Sequence, residues 1–189
     1  MKILLLFAAA IAAALALGTM LRNLLGFVSQ DGSDYLDNTP ALDLPRHLSG
    51  EMLCEGMIFG PTGRVTSRFT ADLDIVWDGP KGVMSERFHY DDGTTQDRQW
   101  HLTVDDDGSV RAEASDVIGF GIGQIGGNAL GLRYRIQLPR ENGGHVLDAV
   151  DWMYVTDRGV ILNRSQFRKF GIKVAELFCT MRRKEARDA

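Results

Sequence analysis

The chain has 189 residues, of which 44% are hydrophobic and 24% are charged. This size and composition are typical of one globular domain with a substantial core, and they exclude a disordered chain. The formal net charge at pH 7 is −4, which argues against a nucleic-acid-binding surface, because such surfaces are basic. We therefore expect a single folded domain without a nucleic-acid partner.

An uncharged segment opens the chain. Lys2 is followed by Ile3 to Leu21, a stretch rich in Leu and Ala, and then by Arg22. The stretch just reaches the roughly 20 residues that span a bilayer as a helix, while the triplet at residues 14–16 is compatible with signal-peptidase cleavage. Residues 1–30 are therefore predicted to be a signal peptide or a membrane anchor. The body is expected on the periplasmic side of the inner membrane if the segment is retained, or in the periplasm if it is cleaved.

The remainder of the chain is predicted to be almost entirely β-strand. Residues 31–48 are polar and turn-rich and are predicted to be a linker. In residues 65–77 apolar and polar side chains alternate, which is the pattern of a strand with one buried face. Further apolar stripes of this kind are Met84, Phe88 and Tyr90; Trp100, Leu102 and Val104; Val110, Ala112, Ala114 and Ile118; and Leu130, Leu132, Tyr134, Ile136 and Leu138.

The order of these elements predicts an all-β fold. Turns rich in Gly, Asp and Asn separate successive strands, and no amphipathic helix of useful length follows Leu48 to cover a sheet. We expect an antiparallel, lipocalin-like β-barrel of about eight to ten strands at residues 49–183. It is preceded by an N-terminal hydrophobic helix and followed by a polar tail at residues 184–189. An outer-membrane barrel is disfavoured because one face of the strands carries charged residues such as Asp72 and Arg133.

The two cysteines, Cys54 and Cys179, lie near opposite ends of the predicted barrel. An oxidising compartment would permit a disulfide that joins the first and last strands. The alternative is a pair of buried free thiols that pack as small apolar side chains. The sequence leaves both alternatives open.

The segment GFGIGQIGGNALG contains the pattern G-x-G-x-x-G at Gly121, Gly123 and Gly126. In dinucleotide-binding proteins this pattern follows a strand and opens a helix. Here the alternating residues 130–138 indicate another strand after the glycines, so the helix N-terminus that would hold a pyrophosphate is missing. We expect no cofactor, and the glycines instead predict a sharp turn, a bulge or a close backbone approach.

Three stretches of the chain resemble a known family. They are SERFHYDDGTTQDRQWHL, ASDVIGFGIGQIGGNALGLRYRIQLP and VDWMYVTDRGVILNRSQFRKFGIKVAE. The chain is similar, over about Tyr35 to Arg183, to an uncharacterised bacterial envelope family, domain-of-unknown-function family 3833. The matching motif positions include Glu86, Phe88, Tyr90, Asp91, Gly93, Arg98, Trp100, Asp116, Gly119, Gly126, Asn128, Ala129, Asp151, Trp152, Met153, Asn163, Lys169, Phe170 and Gly171.

The resemblance implies an envelope location but no activity. Many members of the family are predicted lipoproteins, whereas this chain has no cysteine at the end of its apolar segment. Attachment through a lipidated N-terminal cysteine is therefore not expected here. Because no activity is established for the family, the function has to be argued from candidate site residues.

Charged residues on apolar faces are the strongest indication of a site. Glu86, Arg98 and Asp116 each fall in phase with the apolar residues of their strands, so we expect all three to point inward. A tight turn makes the Glu86 and Arg98 strands hairpin neighbours, which brings the carboxylate and the guanidinium within reach of each other. An unpaired buried charge is costly, so the two are expected to satisfy each other or to be shared with a ligand.

Further polar residues extend this set. Asn128 and Arg164 are placed on other inward stripes, whereas the direction of Asp151 cannot be read because its neighbours are apolar on both faces. Lys169, beside Phe170, belongs either to a lid that contacts anionic head groups or to a simple turn with a hydrophobic anchor. The complete set of predicted ligand-binding residues is Glu86, Tyr90, Arg98, Trp100, Asp116, Asn128, Asp151, Trp152, Arg164 and Lys169.

Three functions are compatible with these residues. In the first, an apolar cavity binds or carries a hydrophobic or lipid-like molecule whose head group meets Arg98 or Arg164. In the second, the barrel is a structural or interaction module without a ligand. In the third, it is a lipid-modifying enzyme that uses a lumen carboxylate of raised pKa. We favour the first, with the protein partner unknown; no metal site is expected, because His89 and His101 are predicted to be exposed.

Overall fold

The chain forms two units. The computed structural model describes residues 2–140 and 143–185, and the units are the residues up to Asp31 and those from Gly32 onward. The first contains helix α1 (Lys2–Leu25) and a 3₁₀ turn at Phe27–Ser29. The second begins with a 3₁₀ turn at Gly32–Tyr35 and helix α2 (Leu44–His47). Its strands are β1 (Gly50–Phe59), β2 (Val65–Asp78), β3 (Lys81–Tyr90), β4 (Thr95–Val104), β5 (Ser109–Ala114), β6 (Gly121–Gly126), β7 (Ala129–Gln137), β8 (Val146–Val155), β9 (Ile161–Lys169) and β10 (Ile172–Arg183).

Helix α1 confirms that the chain begins with a helix. Leu and Ala are strong helix formers and dominate its sequence, and the helix ends just before Gly26. Among the described residues, no helix has both the length and the apolar character that crossing a membrane requires. The role of residues 1–30 as a signal peptide or an anchor stays a prediction.

The ten strands form a closed antiparallel barrel. Each strand pairs with the next one along the chain, and β1 also pairs with β10, where Cys54 lies opposite Met181. Closure removes the free edges that an open sheet would expose. The prediction of an all-β, antiparallel barrel is confirmed; residues 186–189 of the predicted polar tail lie outside the described residues.

Helix α2 seals one end of this barrel, which we call the closed end. Asp43 caps the helix by accepting a hydrogen bond from the backbone N–H of Arg46 at 3.1 Å. Leu44 and Leu48 are each 1% exposed, and both line the interior of the barrel. Within the predicted linker, residues 31–48, the side chains of Leu42, Leu44 and Leu48 pack into the core of the barrel.

The glycine-rich segment forms the hairpin of β6 and β7, with a strand rather than a helix after the glycines. A Cβ atom on Gly126 would lie 1.9 Å from the carbonyl oxygen of Gly32, and one on Gly127 would lie 1.7 Å from that of Tyr35. The backbone N–H of Leu42 also donates to the carbonyl of Gly127 at 2.8 Å. These glycines therefore permit the close backbone approach that the sequence predicted.

Cys54 and Cys179 are buried free thiols, which is the second of the two alternatives left open by the sequence. They face the lumen from β1 and β10, and Sγ of Cys179 donates a hydrogen bond to Oδ1 of Asn163 at 3.6 Å. In this structure the first and last strands are joined by the β1–β10 hydrogen-bond ladder rather than by a disulfide.

Gly126→Ala is expected to destabilise the barrel. The added methyl group would displace the segment around Gly32, and an overpacked site typically costs roughly 1–3 kcal/mol. Urea denaturation followed by tryptophan fluorescence measures the loss. Gly121→Ala is the matched control, because the nearest atom to its Cβ would be 3.2 Å away; equal losses for the two variants would contradict this explanation.

Candidate functional site

The lumen of the barrel is mostly apolar. Its lining includes Met84, Trp100, Leu130 and Leu132, all of them buried. It encloses a cavity of about 90 Å³, which is small beside the roughly 300–1,000 Å³ typical of ligand sites. The enclosed space is therefore sufficient for the end of a small molecule but not for a whole lipid.

The end opposite α2, which we call the mouth, is less tightly closed. Hairpin turns alternate between the two ends of an antiparallel meander, so the turns after β1, β3, β5, β7 and β9 all lie at the mouth. Apolar side chains in this half of the barrel pack against the core but are only partly buried. They are Ile58, Phe88, Tyr90, Leu138, Phe167 and Val174.

Glu86 points into the lumen from β3, directly opposite Arg98 on β4. Oε2 of its carboxyl group is buried and has no hydrogen-bond partner among the described residues, and the neighbouring Trp100 side chain acts to lower its pKa. Burial raises the pKa of Glu86 from 4.5 to about 7, since the charged form loses its water; Arg98 opposes this shift, and Asp151 and Asp116 add to it. The lumen thus contains a carboxyl group whose charge changes near neutral pH.

Arg98 is paired with Asp116 rather than with Glu86. Its Nε and Nη2 atoms donate to Oδ1 of Asp116 at 3.2 and 3.0 Å, and the guanidinium carbon lies 4.2 Å from the centre of the Trp100 ring. Burial alone would lower the pKa of Arg98, but Tyr134, Asp116 and Glu86 outweigh it and raise that pKa. Among the described residues Glu86 and Arg98 form no direct ion pair, which was one of the two alternatives expected from the sequence, and Asp116 already engages the cation.

Asp151 is the third lumen carboxyl and is 7% exposed. It accepts hydrogen bonds from the side-chain amide of Asn163 and, at 2.9 Å, from Oγ of Ser165. Burial raises the pKa of Asp151, and these two hydrogen bonds oppose the shift. Glu86, Asp116 and Asp151 are thus three carboxyl groups that interact with the guanidinium of Arg98.

A larger depression, of about 920 Å³, lies over β2–β5 and opens onto the outer wall of the barrel. Glu86 and Arg98 form part of its floor. Charged side chains around them pair with one another, with Arg87 Nε 2.8 Å from Asp97 and Lys184 Nζ 3.5 Å from Asp72. The depression is open to solvent, so a ligand there would leave much of its own surface in contact with water. We regard the enclosed lumen as the better candidate site despite its smaller volume.

Three other predicted site residues lie at the two ends of the barrel. Tyr90 is at the mouth, where its hydroxyl donates to Oε1 of Gln96 at 3.0 Å. Lys169 is also at the mouth, with Nζ 2.8 Å from Nδ1 of His145. Asn128 is at the closed end, where its amide donates to a backbone carbonyl of β8 at 3.3 Å, so it does not line the cavity.

Arg164 and Trp152 lie outside the lumen, in contrast to the prediction. Arg164 is on the outer wall, with its Nε 2.6 Å from Oε1 of Glu176. Trp152 is buried beneath Tyr35, with a ring-centroid distance of 5.3 Å, on the outer wall of β8. Arg164 was assigned to the stripe of Leu162, but that stripe faces outward on β9. On β8 both faces carry apolar residues, so alternation could not assign the direction of Trp152.

Three lumen residues were missed by the sequence analysis: Tyr134, Asn163 and Ser165. Tyr134 falls in an apolar stripe and was interpreted as core, and it packs edge-on against Trp100 at 5.3 Å. Asn163 and Ser165 alternate with outward-facing neighbours on β9. That period-two placement between apolar residues was the available signal.

The fold and the lumen define the class: a small closed barrel with one sealed end, one open mouth and charged groups inside an apolar interior. The chain belongs to the family described as "Protein of unknown function (DUF3833)", which matches residues 21–183. No curated protein matches the chain.

Several solved structures share the fold. The S-type phycobiliprotein lyase CPES from Guillardia theta has a TM-score of 0.57 and 11% identity, over 75% of this chain and 90% of its own. Rv2717c from M. tuberculosis has a TM-score of 0.55 and 16% identity, over 79% of this chain and 100% of its own. A DUF3598 protein of unknown function from Nostoc punctiforme has a TM-score of 0.54 and 11% identity, over 77% and 51% respectively. At these identities the likeness shows the fold alone.

The free energy of unfolding is expected to fall as the pH rises through the window from 4.5 to about 7. In that window the folded protein keeps a Glu86 proton that the unfolded chain has lost, so ionisation favours unfolding. A shift of this size corresponds to about 3 kcal/mol. Urea denaturation at about pH 5 and about pH 8 measures the difference.

Glu86→Gln should remove this contribution, because the amide is uncharged at every pH. Glu113→Gln on the exposed outer wall is the control and should keep the wild-type slope. If the slope persists in Glu86→Gln, another group is responsible for it.

Proposed function

We propose that the barrel binds a small hydrophobic, lipid-like molecule in its lumen, with the polar end of the ligand at Glu86. The observation that carries this proposal is the unpartnered Oε2 of Glu86 in an apolar interior that is sealed at one end. An apolar cavity with a few convergent polar groups is the general form of a small-molecule site. The shared fold is compatible with such a role, since one neighbour is a phycobiliprotein lyase.

The shape of the lumen indicates how such a ligand is placed. The enclosed cavity of about 90 Å³ accommodates the polar end, so the apolar part extends towards the mouth. Phe88, Tyr90 and Phe167 are already partly exposed there, and they have to separate to admit a longer chain. The closed end offers no comparable path, because Leu44 and Leu48 are buried across it.

The charges of the lumen favour a polar end that donates hydrogen bonds, such as a hydroxyl or an amine. Oε2 of Glu86 accepts no hydrogen bond within the described part of the chain, and Arg98 is engaged by Asp116. A ligand carboxylate would meet Glu86 and Asp151 without a free cation to balance its charge. The proposed contact of the head group is therefore Glu86, rather than the Arg98 or Arg164 that the sequence suggested.

For the location we propose the cell envelope, either on the periplasmic side of the inner membrane or in the periplasm. The support is the uncharged stretch between Lys2 and Arg22 together with the exposed apolar side chains of α1, such as Leu4 and Phe7. Apolar surface of this extent is covered by lipid or a partner, or is removed by cleavage.

Acid–base catalysis is a second candidate, and one observation favours it. The pKa of Glu86, about 7, is the value at which a carboxyl group acts best as a general acid or base near neutral pH. A catalyst would convert a bound molecule that Glu86→Gln still binds but leaves unchanged. A carrier would release the same molecule that it took up.

Native mass spectrometry of the full chain, purified from its own envelope, is expected to show a stoichiometric hydrophobic ligand. Binding of fluorescent long-chain alcohols, amines and acids of equal length then tests the head group. Hydrogen bonds to charged groups contribute about 1.5–3 kcal/mol, so Glu86→Gln should weaken alcohol or amine binding by roughly tenfold or more.

Glu113→Gln, on the outer wall, is the control and should bind as the wild type does. Tightest binding of the acid would contradict the proposed head group while leaving a lumen site. Failure of all three classes to bind, together with an empty protein from the envelope, would favour the structural module.

A further inference from the structure

We propose that the tip of the β9–β10 hairpin docks the mouth of the barrel onto a membrane surface that carries anionic head groups. The hairpin tip comprises residues Lys169–Lys173. This contact is independent of the cargo proposed above, because it depends only on the outer surface of the hairpin.

The hairpin tip exposes two large apolar side chains. Phe170 is 90% exposed and Ile172 is 62% exposed, and both project from the mouth end of the barrel. Phe170 is the most exposed of the large apolar residues described in the barrel unit. A Phe so fully in water contributes little to folding, so its role is sought in a contact outside the chain.

The backbone conformation at the tip is one that disfavours a Phe residue. Phe170 and Gly171 have φ angles of 52° and 75°, which are typical of a two-residue hairpin turn with both central residues left-handed. Asn or Gly normally occupies the first of these positions, because a side chain with a large Cβ substituent is strained there. Phe170 thus disfavours its own turn and gains no packing in return.

Positive charge surrounds these apolar residues. Lys169 Nζ lies 5.8 Å from the centre of the Phe170 ring, and Lys173 Nζ lies 2.5 Å from Glu176. Glu176 is shared with a second cation, and Asp148 lies opposite Arg168 in the register of β8 and β9. The five residues of the hairpin tip itself contain two lysines, Lys169 and Lys173, and no carboxylate.

An anionic bilayer surface fits both properties at once. Aromatic and aliphatic side chains bury in the boundary between head groups and acyl chains, while Lys and Arg remain at the anionic head groups. The tip is a single tight turn, so it inserts without unfolding any strand. A bilayer rather than a protein groove is proposed because the lysines beside the apolar tip complement the negative charge of an anionic membrane surface.

The test uses Phe170→Trp in the full chain, with brominated phosphatidylcholine as the quencher in liposomes with and without anionic phosphatidylglycerol. We expect the fluorescence of the added indole, taken as the difference from the wild type, to shift to the blue and to be quenched in the anionic liposomes, and less so in the neutral ones. Phe178→Trp, at a partly exposed position on the wall of β10, is the matched control and should not be quenched.

The contribution of the lysines is tested in the Phe170→Trp background. Each membrane-facing cation is worth about fivefold in partitioning, so adding Lys169→Gln and Lys173→Gln together should reduce insertion of the tip indole about 25-fold. Adding Lys81→Gln, at the closed end, should not reduce it.

A second variant separates membrane contact from folding. The Phe170→Asn variant should no longer contact liposomes, which is measured as the loss of liposome protection of a label attached at the mouth. Its unfolding midpoint should stay at or above that of the wild type. An unquenched tip indole on liposomes to which the full chain is bound would overturn the proposal, since the chain would then be held by another segment. Equal quenching in Phe170→Trp and Phe178→Trp would also overturn it, as would burial of the tip indole without lipid, which would indicate a protein contact.

Discussion

Pairing of β1 with β10 is the constraint on which the rest of the structure depends. Once the sheet is closed, every strand is hydrogen-bonded on both sides and each side chain points either into the lumen or away from it. Glu86 and Arg98 lie opposite each other on neighbouring strands, so the same alternation that buries the apolar lining also buries them. A shift of one residue in register would expose both charges, but it would expose the core of those strands as well.

The cost of burying these charges is distributed unequally. Arg98 and Asp116 satisfy each other, and Asp151 has two side-chain donors. Glu86 has no partner at Oε2 among the described residues, and burial raises its pKa to about 7. An apolar residue of similar volume is generally at least as stable at such a position. The fold alone gives no reason for a carboxyl group here, whereas a ligand that donates a hydrogen bond does, which supports binding over a purely structural role.

Local pattern was sufficient to predict the strands, the antiparallel barrel and the inward direction of Glu86, Arg98 and Trp100, because one face of β3 and β4 is solvated and the alternation is clean. It was insufficient for Trp152, since residues 32–38 cover the outer wall of β8 and make both of its faces apolar. That covering depends on Gly126 and Gly127, whose missing side chains admit the segment. The pairing of Arg98 with Asp116 was not predicted either. Periodicity placed Asp116 on a strand, but β5 ends at Ala114 and Asp116 lies in the irregular connection that follows.

The two ends of the barrel differ in how far their apolar side chains are buried, and this difference relates the lumen to the outer surface at the mouth. At the closed end the chain buries Leu44 and Leu48, whereas at the mouth it leaves apolar side chains partly exposed and presents Phe170 to solvent. A lipid-like molecule that leaves a bilayer through water loses about 0.8 kcal/mol for each exposed CH₂ group. A mouth held against the bilayer avoids that barrier, because the chain passes from one apolar environment to another. The hairpin would then govern how fast the lumen is loaded and Glu86 how tightly the ligand is held, so the two regions contribute to separate measurable quantities.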